Sequence, residues 1–253
     1  MKTLLEPLRA WYGKQQQQHR QIIPRPWAEL TNTPLLQGKS IALVGNAGYL
    51  ADLNQGDAID QYDVVIRMNN FRVTGFEKFL GKKTDVWLTN FYTDINFQNL
   101  DARKAKTLLS SSPNNFRKLR NRGISIRHGQ LHTHALCKLG RREVFVPTLP
   151  WFEKQIAQIG RYPSTGACGI LLLLEHLLPI SGSIYITGFT FFQCRSHYFT
   201  QAVVDPSTNH DAKREQSLLT DRLLPYIQNG RIQVDPIMAD LLGTCHPGER
   251  YIA

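Results

Sequence analysis

Two histidines and two small-residue turns hold the side chains of this sequence that could do chemistry. His210-Asp211 follows the turn-like run Asp205-Pro206-Ser207-Thr208-Asn209 and precedes the helical pattern AKREQSLLTDRLLPYI. A histidine at a helix start feels the positive end of the helix dipole and stays neutral, the state a general base needs. Asn209 is the expected cap of that helix. Glu215 lies five residues beyond His210 and can orient the ring only where the local chain brings it back. A surface histidine in a capping region fits the same residues, so both readings stand. His197 opens the triplet His197-Tyr198-Phe199, behind an aromatic patch at 189–192.

The first of the turns, Pro163-Ser164-Thr165-Gly166, leads into an apolar helical run at 164–178. Its backbone amides and two hydroxyls can receive a phosphate or a carboxylate, and they equally make an ordinary helix cap. The second is Gly45-Asn46-Ala47-Gly48. Here glycines permit a tight turn and close approach of a ligand, or serve only the packing of a strand-to-helix joint. The pattern lacks the full dinucleotide fingerprint and the Lys-Ser/Thr of a phosphate loop. Asn69 and Asn70 end a strand, where open α/β sheets bind ligands. His128, His132 and His134 lie close together without an acidic ligand at metal-binding spacing, so no metal site is expected.

These groups need elements to place them. Short apolar runs at 41–44, 62–68, 83–90, 183–189 and 232–236, with two more near residues 125 and 145, read as strands. Helical patterns lie between several of them, including one expected directly after the 41–44 strand. That alternation predicts an α/β fold, a Rossmann-like, mostly parallel sheet flanked by helices. Residues 1–37 read as a peripheral N-terminal segment and 38–253 as one catalytic domain. Leu4, Leu5, Leu8, Trp11 and Tyr12 recur at helical spacing, a stripe that suits packing on the body or contact with a membrane surface. Pro24 and Pro26 argue against a helix around them.

Composition narrows the classes. Of 253 residues 42% are apolar, which excludes a disordered or fibrous chain. The longest apolar run, 168–178, is broken by Glu175 and His176 and is too short to span a bilayer. Four cysteines, widely spaced and without a C-x-x-C pair, argue against a zinc knuckle or a disulfide scaffold and suit a reducing cytoplasm. The net charge is +10, and residues 111–160 carry nine Lys/Arg against two Asp/Glu. Such a field attracts nucleic acid, an anionic membrane or a phosphorylated small molecule. A helix-turn-helix signature and an interleaving of aromatics with Arg/Lys are both missing, which counts against nucleic acid.

Four segments in a fixed order resemble the motifs of one family. VGNAGYL with RMNNFRVTGFEKFLGKKTD is similar to the large sialylmotif of the animal-type sialyltransferases, glycosyltransferase family 29, and RYPSTGACGILLLLEHLLPISGSIYITGF is similar to the small one. His197-Tyr198-Phe199 resembles the family's short third motif, and His210 with Glu215 its very small motif. The resemblance covers roughly residues 41–219. It implies inverting, metal-independent transfer of sialic acid from CMP-sialic acid to a hydroxyl of a glycan or glycolipid, without a cofactor, in a single-domain GT-A-like variant of the Rossmann-like fold. It implies His210 as base, His197 as stabiliser of the leaving phosphate, and Gly45, Asn46, Asn69, Ser164, Thr165 and Gly166 as donor-binding positions. Arg67 is expected instead to hold local structure. Loops at 90–115 and 191–209 are expected to choose the acceptor.

Animal members pair a cysteine at the start of the large motif with one in the small motif. Here Ile41 and Leu178-Pro179 stand near those places. That departure suits a bacterial-type protein of the cytoplasm, working at the inner face of the cell membrane where the acceptor is a glycolipid. It also keeps open a CMP-Kdo donor, as in lipopolysaccharide or capsule assembly. A non-enzymatic nucleic-acid-binding protein is the rival reading of the charge.

Overall fold

Ile41, Ala42, Leu43 and Val44 are all buried, as a strand covered on both faces requires. The computed structural model describes residues 24–90, 99–113, 143–193, 196–203 and 210–244. In chain order its strands are β1 (Arg25–Pro26), β2 (Ser40–Val44), β3 (Val64–Met68), β4 (Val86–Thr89), β5 (Thr107–Ser110), β6 (Glu143–Val146), β7 (Ser183–Thr187), β8 (Ser196–His197), β9 (Thr200–Val203) and β10 (Ile232–Val234). Eight of them form one sheet in the order β1-β6-β5-β4-β3-β2-β7-β10, and every neighbouring pair is parallel. β8 and β9 pair separately as an antiparallel ribbon. The expected parallel α/β sheet is therefore present.

The chain builds outward from β2 through β3, β4, β5 and β6, then returns to lay β7 on the other side of β2. Ligands of open α/β sheets bind at such a reversal, outside the carboxyl ends of the strands. Alternate residues of β2 serve opposite cores. Ile41 and Leu43 join the face that packs the long helices, while Ala42 and Val44 join the face with Leu50, Ile59, Phe71 and Trp87.

The helices are α1 (Gly56–Asp60), α2 (Glu77–Leu80), α3 (Leu149–Ile159), α4 (Thr165–Leu172), α5 (Ala212–Gln228) and α6 (Pro236–Leu241). α4 is apolar and buried almost all round because it lies directly on the sheet. A Cβ at Gly169 would sit 2.8 Å from Leu88 Cδ2. Each fully buried Leu or Ile of that helix contributes about 1.5–3 kcal/mol. After Leu172 the helix widens into a π turn, Leu173–Leu177. There Glu175 accepts bonds from Trp151 Nε1 at 2.5 Å and from Arg222 at 2.8 Å.

Some expectations change. The segment after β2 is not a regular helix: it is a 3-10 turn, Gly48–Asp52, followed by the short α1. Part of the stretch read as an acceptor-choosing loop, 90–115, is strand β5, and the strand expected near residue 125 lies outside the described residues. The segment read as peripheral supplies β1 from Arg25 onward and buries Trp27, Leu30 and Leu36 in the core. Its apolar stripe at 4–12 and the histidines at 128–134 lie outside the described residues. Among the described residues, no helix is long and apolar enough to cross a membrane.

Candidate active site

β2 and β7 run side by side past their last residues. Gly45 N–H donates to Thr187 O at 2.8 Å, and Ala47 N–H donates to Gly188 O at 3.1 Å. A Cβ at Gly45 would overlap the Gly188 carbonyl, so backbone proximity, not a ligand, is what demands glycine there. The Phe189 ring then lies 3.2 Å from the Cβ positions of both Gly45 and Gly166. One ring wedges the large-motif joint against the small-motif turn, and side chains at either glycine would displace it. Sequence reasoning noticed Phe189 only as the start of an aromatic patch.

A buried network holds this corner. Asp235 accepts from Tyr49 Oη at 2.7 Å, Thr187 Oγ1 at 2.8 Å, Gly188 N at 3.1 Å and Met238 N at 2.8 Å. Burial, with Asp235 beside it, pushes the Tyr49 hydroxyl far above its ordinary value, so it remains a neutral donor.

Asn46 donates from Nδ2 to Met68 O at 3.0 Å. A carbonyl accepts only, so the amide is oriented and its other end is an acceptor. That Oδ1 is buried with no partner among the described residues. An orphaned buried acceptor costs about 1–3 kcal/mol, which a ligand donating to it would recover. Asn69 takes a left-handed φ of 48°, which Asn tolerates. Its carbonyl accepts from Trp87 Nε1 at 2.8 Å, so it fixes the turn after β3.

Arg67 does hold local structure. It is buried at 1% exposure and donates to the carbonyls of Lys83 at 2.9 Å, Leu80 at 2.6 Å and Gly81 at 3.2 Å. Burial pulls its pKa down to about 10.

Ser164 caps α4, its Oγ accepting from Ala167 N at 3.0 Å. The same hydroxyl donates to Glu215 Oε2 at 2.7 Å, and Ser164 N–H donates to Glu215 Oε1 at 2.7 Å. Both donors of Ser164 are thus committed, and Thr165 and Gly166 follow as the next positions of the helix N-terminus. Thr165 Oγ1 lies 3.4 Å from Ser111 Oγ, at the end of the unexpected strand β5.

His210 Nδ1 lies 2.8 Å from Tyr162 O. Because that partner is a carbonyl, Nδ1 carries the proton and Nε2 keeps a free lone pair. Glu215 Oε1 is 3.9 Å from Nδ1, too far for a hydrogen bond. The ring is therefore oriented by Tyr162, while Glu215 clamps Ser164. Burial lowers the His210 pKa, with the Tyr162 bond opposing in part. Burial raises the Glu215 carboxyl to about 7, against the lowering pull of the two Ser164 bonds. Charge is disfavoured on both partners, so the resting contact is not an ion pair. The cap of α5 is Asp211, which accepts from Arg214 N at 3.0 Å; the expected cap, Asn209, lies outside the described residues.

His197 is placed by main chain. It bridges Ala47, and Tyr198 N–H donates to Asn46 O at 3.3 Å. Tyr198 Oη in turn donates to Arg72 O at 2.7 Å and accepts from Arg72 N at 2.9 Å. Burial lowers the His197 pKa. The structure thus joins the His197 segment to Asn46 and Ala47, brings Gly45 and Gly166 onto the one ring of Phe189, and ties His210 to Tyr162, two residues before Ser164.

Residues 5–119 match the family model described as glycosyltransferase family 29 (sialyltransferase). A type 2 lactosamine α-2,3-sialyltransferase of Pan troglodytes is 27% identical over 217 residues, 76% of this chain and 63% of that protein. A CMP-N-acetylneuraminate-β-1,4-galactoside α-2,3-sialyltransferase of Rattus norvegicus is 51% identical over 47 residues, 19% of this chain and 13% of that protein. A β-1,6-galactosyltransferase of Arabidopsis thaliana is 45% identical over 51 residues, 20% of this chain and 13% of that protein. The chain spans less than two thirds of the length of these curated relatives. They are mammalian and plant proteins and lend no support to a bacterial-type reading. The crystal structure of a mammalian sialyltransferase shares the fold, with a TM-score of 0.56 at 21% identity over 88% of this chain and 78% of that one. The segment 5–119 and these relatives therefore make the chain similar to glycosyltransferase family 29, the family its four sequence motifs resemble.

Proposed function

We propose that the chain is an inverting glycosyltransferase that moves sialic acid from CMP-sialic acid to a hydroxyl of a glycan or glycolipid. The observation that carries this reading is His210: Tyr162 holds its Nδ1–H and leaves Nε2 as a neutral acceptor beside the Ser164 turn. Nε2 takes the proton of the acceptor hydroxyl as that oxygen attacks the anomeric carbon. The CMP phosphate leaves from the opposite face, so the configuration inverts and no enzyme-bound sugar forms. Burial keeps His197 neutral, so it serves the departing phosphate as an N–H donor. The Asn46 Oδ1 orphan suits a donor group of the nucleotide, and Thr165 and Gly166 at the α4 N-terminus suit its anionic part. When His210 gains the proton, Glu215 at 3.9 Å becomes a favourable neighbour for the new charge. The chemistry asks for no metal and no cofactor, because CMP phosphate leaves without needing a strong acid.

The Arabidopsis relative carries the name of a galactosyltransferase, so donor identity does not follow from the family. CMP-Kdo, another CMP-activated 2-keto acid, is the second reading, with lipopolysaccharide or capsule as its setting. Cytoplasmic residence, membrane contact through residues 1–20 and a bacterial-type character belong to this proposal too. The membrane contact rests on the apolar stripe Leu4, Leu5, Leu8, Trp11 and Tyr12; the other two rest on Ile41 and Leu178-Pro179 standing where the animal enzymes bear cysteines, with Cys168 free and buried. The basic excess at 111–160 then serves an anionic donor and acceptor instead of nucleic acid.

Separate incubations of the whole chain with CMP-sialic acid, CMP-Kdo and a nucleotide-activated galactose test the reading by release of the nucleotide. Release of CMP from CMP-sialic acid, unchanged by EDTA, is expected. Release from CMP-Kdo alone selects the second reading. Release from activated galactose alone, or a requirement for added divalent ion, overturns both.

A further inference from the structure

The geometry points to Phe192 as a positioning residue that fixes the plane of the His210 ring. This inference rests on His210 being the base. The two rings are stacked, with centroids 5.9 Å apart and planes 18° from parallel. The Tyr162 bond alone fixes one direction of the imidazole and leaves it free to tilt about that line. A flat neighbour removes the remaining freedom, and the two restraints together aim Nε2.

The backbone around Phe192 is unusual. Phe191 and Phe192 take consecutive left-handed φ values of 49° and 63°, a region that bulky side chains avoid. Phe191 is buried at 9% exposure, and Gln193 N–H closes the turn onto Thr190 O at 2.9 Å. The turn starts from Phe189, wedged between Gly45 and Gly166, and from Gly188, held by Asp235. A backbone outlier so supported, with its ring held nearly parallel to a candidate base, marks a place where conformation is spent on function.

Among the described residues, three elements face His210. α5 brings Glu215 at 3.9 Å, Asp211 next in the chain, and Arg214. The turn before α4 brings the Tyr162 carbonyl, and the described part of the segment after β7 brings Phe191, Phe192 and Gln193, none of them charged. The phenyl ring lies offset and nearly parallel beside the imidazole and offers it neither a charge nor a hydrogen bond. This agrees with burial as the leading cause of the low His210 pKa.

The test is an NMR titration of His210 in the full chain, paired with the pH dependence of kcat/KM. Phe192→Ala is expected to raise the His210 pKa toward the ordinary value of about 6.5. The acidic limb then moves to higher pH, because more of the base is protonated at a given pH. kcat is expected to fall about tenfold with the donor KM held. Phe192→Leu, which keeps apolar bulk without a flat ring, is expected to lower kcat with a smaller pKa change, and Phe192→Tyr to restore both. An unmoved His210 titration and acidic limb in Phe192→Ala overturns the inference, as does a Phe192→Leu chain with full kcat. Full turnover by His210→Ala would instead overturn the base assignment; the titration of His210 in Phe192→Ala would then still report whether the stack exists.

Discussion

The two histidine segments are held in opposite ways. His197 is fixed by main chain, through its bridge to Ala47 and the bond from Tyr198 N to Asn46 O, while its ring lies 5.2 Å from the tilted ring of Phe199. His210 is fixed by its ring, through Tyr162 O and Phe192. In the proposed reaction the group that removes a proton must have one chosen atom aimed, which a restrained ring provides. A group that only offers a hydrogen bond to a large anion needs its place held, and the backbone can do that.

The largest effect expected from breaking this contrast comes at His210. His210→Ala should lower transfer roughly a hundred- to ten-thousandfold, with CMP affinity by calorimetry nearly unchanged. His197→Ala should follow, with a loss on the order of a hundredfold. Its effect should be greatest for donors whose leaving group is the poorest, which a comparison of nucleotide-release rates would reveal. If the two variants lose rate and affinity in the same proportion, the distinction between aimed and placed histidines fails.

Glu215→Gln gives the smallest and most informative effect, about tenfold in kcat. One of the two Ser164 donors would then face an amide NH2, at a cost of about 1–3 kcal/mol in folding. The pH dependence sharpens the point. In the folded chain this carboxyl titrates at about 7, above its ordinary 4.5, so the folded state binds the proton more tightly than the unfolded one. That contribution is full below the unfolded value and is lost as pH rises through about 7. Melting at pH 5, 6, 7 and 8 should show native stability falling over this window and the variant's curve flatter. Equal slopes would mean that Glu215 is charged throughout.

Much of the sheet was legible because its strands are short apolar runs bounded by polar turns, as at β2, β7 and β10. β5 was not: Thr107-Leu108-Leu109-Ser110 has two aliphatic residues between a Lys-rich stretch and a serine run, too little for a pattern. The site's members could be named from motif order, but their bonds could not. Ser164 and Glu215 are 51 residues apart, and Tyr162 and His210 are 48 apart. Nothing local to either end of such a pair states the other. For the same reason Glu215 looked like a partner of its neighbour in sequence, His210, when the fold turns its oxygens toward Ser164. Gly45 illustrates the opposite error. Its type was read correctly as one that a close approach requires, yet what approaches is the main chain of Gly188.

The Ser164–Glu215 clamp has a consequence for exchanging segments between this chain and its relatives. The Ser164 turn and α5, the helix that follows His210, are not separable parts, because each completes the other's hydrogen bonding. A graft that imports the Pro163-Ser164-Thr165-Gly166 turn without its α5 inherits a capped serine whose hydroxyl and amide protons have nowhere to go. A graft that imports α5 alone inherits a buried carboxylate with no donors. Exchange between relatives should therefore work only when the two segments travel together, and the natural cassette is the stretch from Arg161 through Leu219.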